Sequence, residues 1–126
     1  MVADKEKVPR DIKERTFSFA LDVVHLAQRL DERSGASRAL GRQLLRSGTS
    51  VGANVEEAQA GQSHADVSSK YAIALKEMPE TTYWLWLLKE GELSPNKDYE
   101  GLLREADEIA RIIGAIIVKS RRNRSE

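Results

Sequence analysis

Three interruptions divide this chain: Arg33-Ser34-Gly35, Gly61-Gln62-Ser63 and Gly91-Glu92-Leu93-Ser94-Pro95. Between them lie four stretches whose apolar residues recur at helical spacing. Each is about 20 to 27 residues long, enough to cross a small domain at roughly 1.5 Å per residue. No Asn-Gly or Asp-Gly hairpin signal and no alternating apolar run appears, so no strand is expected. Four amphipathic helices with short connections pack most economically as an all-α, antiparallel up-and-down four-helix bundle. A single domain is expected over 1–126, with residues 1–10 and 120–126 flexible.

The first helix, from about Asp11 to Leu30, carries apolar residues over more than half of its circumference. One stripe holds Phe17, Ala20, Leu21, Val24 and Ala27; another holds Ile12, Phe19, Val23, Leu26 and Leu30. That arc exceeds the stripe of about 100° that a surface helix needs. The second helix, about Ser37 to Ala60, aligns Leu40, Leu44, Gly48, Val51, Val55 and Ala58. Its centre is rich in small residues, which cost helix propensity but let a neighbouring helix approach closely. Ser63 and Asp66 signal the start of the third helix, about His64 to Lys89. Pro79 lies inside it and is expected to bend it near Leu75. The fourth helix starts at Pro95 or Tyr99, with Ser94 as a candidate cap. It runs to about Lys119 on a stripe of Leu102, Leu103, Ala106, Ile109, Ile113, Ile116 and Ile117.

The third helix ends in Tyr83-Trp84-Leu85-Trp86-Leu87-Leu88. Six bulky residues in a row cover the whole circumference, and Trp84 and Trp86 point about 200° apart. One monomeric core does not bury them all. Tyr83, Trp84 and Trp86 are therefore candidate contacts of a homo-oligomer.

Charge narrows the choice of partners. The chain has 20 basic and 20 acidic residues, and no cysteine for a disulfide or a thiolate metal site. The zero sum conceals segregation: residues 33–55 carry four basic side chains and no acidic one, residues 56–108 five basic and twelve acidic, residues 109–126 five basic and one acidic. Two basic blocks thus flank an acidic middle. Arg38, Arg42 and Arg46, with Lys119, Arg121, Arg122 and Arg124, are candidates for tracking a phosphate backbone. The competing reading is a solvated helix face and a basic tail. There is no apolar secretion signal and no membrane-spanning run, so a cytoplasmic protein without a membrane partner is expected.

Catalytic candidates are sparse. His25 falls on the polar side of the first helix and His64 in the first turn of the third. No zinc helix, phosphate loop, dinucleotide turn or nucleophile elbow is present, so neither an enzyme nor a metal or other cofactor is expected. Glu56, Glu57, His64 and Asp66 meet at one turn, yet the paired Glu-x-x-His motif of di-iron bundles is missing. Gln43, Ser47, Ser50 and Asn54, with Glu57 just beyond, edge the core stripe of the second helix. Buried hydroxyls and amides must be satisfied, so this polar seam reads as a packing and register device.

The run Gln43-Leu-Leu-Arg-Ser-Gly-Thr-Ser-Val-Gly-Ala-Asn-Val-Glu-Glu, followed by Ile73-Ala74-Leu75 and Glu80-Thr81-Thr82-Tyr83-Trp84-Leu85, resembles the signature of a bacterial family. Its members are four-helix bundles encoded in intervening sequences of large-subunit ribosomal RNA genes. The family is similar in turn to the accessory variability determinant of diversity-generating retroelements. The resemblance spans most of the chain. It implies an antiparallel monomer that assembles as a homopentamer without catalytic activity. Arg46, Ser47, Ser50, Asn54 and Glu57 fall on motif positions, while Ala58 replaces a usual glycine and Pro79 is a departure. The expected function is a nucleic-acid or ribonucleoprotein accessory factor binding RNA or DNA. The alternative is a scaffold that binds another protein through the acidic middle.

Overall fold

The computed structural model describes residues 11–33, 35–61, 63–93 and 99–125, with side chains up to Arg122. Four helices make up the fold: α1 (Ile12–Asp31), α2 (Ala36–Gln59), α3 (His64–Glu90) and α4 (Tyr99–Ser125). Asp11 caps α1 by accepting from the Lys13 N–H at 3.1 Å, and Ser63 caps α3 by accepting from the Asp66 N–H at 3.1 Å. Each cap satisfies a backbone donor that the first helical turn leaves open. Ser94 and Pro95, the expected start signals of the fourth helix, lie outside the described residues. α4 continues to Ser125, beyond the expected end near Lys119.

Sequence neighbours pack side by side, and α4 returns to α1 along a shorter stretch than any other adjoining pair. Among the described residues no diagonal pair brings its backbones close together. The direction of each helix follows from ties across the seams. Leu30 lies against Gly41 and Thr16 against Gly52; Thr81 meets Ser47, and Lys70 meets Glu57. Lys89 meets Glu100, and Ser68 meets Ser120. Each neighbour therefore runs opposite to the last, which is the up-and-down bundle expected.

The core gathers Phe19, Val23, Leu26 and Leu30 from α1, Leu44, Val51 and Val55 from α2, Met78, Leu85 and Leu88 from α3, and Ile109, Ile113 and Ile117 from α4. Burying each such side chain contributes about 1.5–3 kcal/mol before ordering costs. The small residues of α2 serve α1: Gly41, Gly48 and Gly52 face Leu30, Val23 and Thr16. A Cβ at Gly41 would sit 2.9 Å from Leu30 Cβ, so only glycine permits this approach of the two backbones.

α3 is one continuous helix through Pro79. The proline is on the exposed side, where the hydrogen bond it removes from the Leu75 carbonyl is least costly. The wide apolar arc of α1 divides. Its Phe19–Leu30 stripe is core, whereas Phe17 and Leu21 are left outside.

Candidate assembly and nucleic-acid surfaces

Tyr83 and Trp86 stand on the outer face of α3, 56% and 59% exposed, and Leu87 beside them is partly open. They border a groove of about 480 Å³ between α3 and α4, whose walls include Pro79, Thr82, Leu103 and Ala110. Pro79, Tyr83 and Trp86 follow one another at helical spacing, which is why they share this face. The groove continues toward the turn between α3 and α4, past Lys89, Glu90, Glu100 and Arg104. There Lys89 Nζ lies 2.6 Å from Glu100. Hydrogen bonding by that ammonium holds the Glu100 carboxyl below its ordinary range, and the same bond raises Lys89.

Trp84, placed by the sequence with Tyr83 and Trp86, takes a different position. It is half-buried against the core, and its indole N–H donates to Glu80 at 3.2 Å. Glu80 also receives the Arg46 guanidinium, and Glu77 lies 3.8 Å from the same group. This cluster ties α2 to α3. Tyr83 meets Trp84 edge-on with ring centroids 5.4 Å apart, so the inner ring supports the outer one.

A second apolar surface lies on the outer face of α1 and α2. Phe17 is 64% exposed and Leu21 44%, and Leu45 of α2 is partly open beside them. Val24, Ala27, Gln28 and Leu45 line the adjoining groove between the two helices. The excess apolar residues of α1 pointed here, although their spacing did not tell which stripe the core would take.

The arginine row does not form one surface. Arg38 donates to the Asp31 carbonyl, and Arg42 Nε lies 3.2 Å from the Asp31 carboxylate, both toward α1. Arg46 turns the other way, to Glu77 and Glu80 of α3. A step of four residues advances about 40° around a helix, so three such arginines diverge. Lys119, Arg121 and Arg122 are exposed on the last turns of α4; Arg124 falls outside the described side chains. The two basic blocks occupy opposite ends of the bundle. Arg38 begins α2 beside the end of α1, whereas Ser120 pairs with Ser68 near the start of α3.

The polar seam separates into three parts. Ser47 is fully buried, with its hydroxyl 3.0 Å from that of Thr81 across α2 and α3. Asn54 donates within α2 to the Ser50 carbonyl and hydroxyl. Gln43 accepts from Arg46, and Glu57 pairs with Lys70 at 2.7 Å, both at the surface. His25 and His64 are exposed. Among the described residues, no helix is long and apolar enough to cross a membrane.

Sequence reasoning missed the α1–α4 tie. Arg15 forks onto Glu105 at 2.6 and 3.0 Å and reaches Glu108 at 3.2 Å. Hydrogen bonding to Glu105 raises the Arg15 pKa. Three charges scattered among forty give no signal before the fold places them. Missed too was Ser37, which donates to the Leu93 carbonyl at 3.0 Å and fastens the two turns at one end together.

The comparisons agree with this architecture. A protein of unknown function from the S23 ribosomal protein family of Bacteroides thetaiotaomicron superposes with a TM-score of 0.77 at 38% identity. The match covers 85% of this chain and 98% of that one. No curated protein matches the chain at a significant level. The family profile described as 23S rRNA-intervening sequence protein matches residues 10–115. With nearly the whole bundle matched, the chain belongs to the 23S rRNA-intervening sequence protein family.

Proposed function

We propose that the protein is a non-enzymatic, self-assembling accessory factor for RNA or a ribonucleoprotein. Assembly uses the exposed Tyr83 and Trp86, and the basic end of α4 contacts phosphate. The observation that carries the reading is the separation of these surfaces on one rigid bundle. The aromatic groove lies along the second half of α3, while Lys119, Arg121 and Arg122 project from the end of α4 beside the start of α3. Leaving two large aromatics in water favours association, and clustered cations release counterions from a phosphate backbone. The family resemblance further supports a pentamer.

Within this reading Arg38, Arg42 and Arg46 are weaker phosphate ligands than their spacing implied, because Asp31, Glu77 and Glu80 already engage them. The test is an electrophoretic shift with structured RNA across a salt series. The wild type is expected to shift the RNA, with affinity falling as salt rises. Lys119→Glu with Arg122→Glu is expected to abolish the shift at unchanged helicity. Retention by that double variant at low salt removes the α4 end from the function. No shift by the wild type in any salt favours the second reading, a protein scaffold, which the internal pairing of the arginine row supports.

A further inference from the structure

We infer that the outer face of α1 and α2 is a docking surface for a basic amphipathic helix of a protein partner, seated with its cationic end over Phe17. The inference goes beyond the function proposed above, which draws on α3 and the end of α4. Phe17, Leu21, Val24 and Gln28 recur at i, i+4, i+7 and i+11, so they form one ridge about 16 Å long. Beside it two small residues, Ala27 and Gly41, join Val24 and Leu45 in lining a hollow of about 530 Å³. A ridge next to a groove is the surface into which another helix packs. The backbones of α1 and α2 pair their donors and acceptors internally, so an extended strand finds no ladder to join here. A helix satisfies its own backbone and brings apolar residues at matching spacing.

Charge fixes the kind of helix and its direction. Around Phe17 a second hollow, of about 470 Å³, is bordered by Asp11, Glu14 and Glu56 and by one cation, Lys13. Lys13 Nζ lies 3.4 Å from Glu56, and among the described residues Glu14 has no ion pair. The hollow is thus net negative beside an exposed ring, whose π face also attracts a cation. At the other end Arg38 and Arg42 meet Asp31, and with Glu32 the four charges cancel. This gradient places a lysine or arginine of the partner at Phe17 and its apolar residues over Leu21, Val24 and Leu45. It also disfavours phosphate at this face, whether of nucleic acid or of lipid. A second copy fits less well. The chain's own cationic helix end, with Lys119, Arg121 and Arg122, carries one exposed large apolar residue among the described residues, Val118, and no apolar stripe.

The probe is a fluorescent peptide of about 18 residues, with leucines at i, i+4, i+7 and i+11 and lysines at one end only. Its anisotropy reads binding. The wild type is expected to bind it with an affinity that falls as salt rises. Leu21→Glu is expected to weaken binding about tenfold or more, and Glu14→Gln with Glu56→Gln about threefold. Neither is expected to change the mass of the protein by light scattering. No binding by the wild type, or equal binding by Leu21→Glu, overturns the inference. So does equal binding of a peptide with glutamates in place of the lysines. A lower mass for Leu21→Glu overturns it too, because the face then joins copies; the self-association reading fails instead if the wild type is a monomer. Direction is read by disulfide formation, since the chain has no cysteine of its own. With a cysteine at the lysine end of the peptide, Ser18→Cys is expected to cross-link several times faster than Gln28→Cys. Equal or reversed rates contradict the seating.

Discussion

At Gly48 an added Cβ would lie 3.0 Å from Val23 Cγ1, whereas at Gly114 it would meet nothing within 4 Å. The same residue type therefore answers substitution with opposite signs. Gly48→Leu is expected to destabilise by about 1–3 kcal/mol or more through overpacking against α1. Gly114→Ala is expected to stabilise by about 0.5–1 kcal/mol, the helix-propensity gain without a clash. Denaturant melts check both. Tyr71 supplies a pH dependence. Burial raises its phenol pKa above the ordinary tyrosine value, opposed by the hydrogen bond from Gln59 and assisted by the Asp11 charge. A group whose pKa is raised on folding stabilises the fold below its unfolded value and loses that contribution as pH rises. Stability should hence fall above about pH 10, and Tyr71→Phe should flatten that fall. Alkaline melts of the two proteins give the test; an unchanged fall in the variant assigns it to other groups.

Among the helices, α2 was the most legible. Of its expected stripe, Leu44, Gly48, Val51, Val55 and Ala58 are buried and Leu40 is partly buried, and its small residues admit a close neighbour, α1. α3 was less so, because six consecutive bulky residues cancel any periodicity that would say which of them turn inward. Only packing decided that Leu85 and Leu88 enter the core, Trp84 lies at its edge and Trp86 stays outside. This division can be measured. Trp84→Ala is expected to cost on the order of 2 kcal/mol, less than the 3–5 kcal/mol of a fully buried ring. It removes core-edge packing and the indole bond to Glu80. Trp86→Ala is expected to leave the stability of the isolated protomer nearly unchanged and to lower the assembled mass. Urea titration reads the first effect and light scattering the second. The arginine row was misleading for a related reason. Spacing places Arg38, Arg42 and Arg46 near one another on the helix, but it does not show that Asp31 and Glu80 stand on either side to engage them.

For the molecule as a whole, helix number, order and direction were legible because breaks, caps and periodicity act locally. The surfaces were only half so, since exposure is set by what the other helices cover. The zero net charge resolves in three dimensions into Arg38, Arg42 and Arg46 paired with carboxylates in the upper half of the bundle and a cationic end of α4 at the other. Assembly is the central claim: the bundle leaves Phe17 and Leu21 exposed on α1 and Tyr83 and Trp86 exposed on α3, and the proposed self-association would cover such apolar surface. The direct measurement is the mass of the wild-type protein by light scattering at micromolar concentration. One species at a whole-number multiple of 14.1 kDa is expected, five by the family resemblance. A dimer would contradict that stoichiometry, and a monodisperse monomer would contradict assembly altogether.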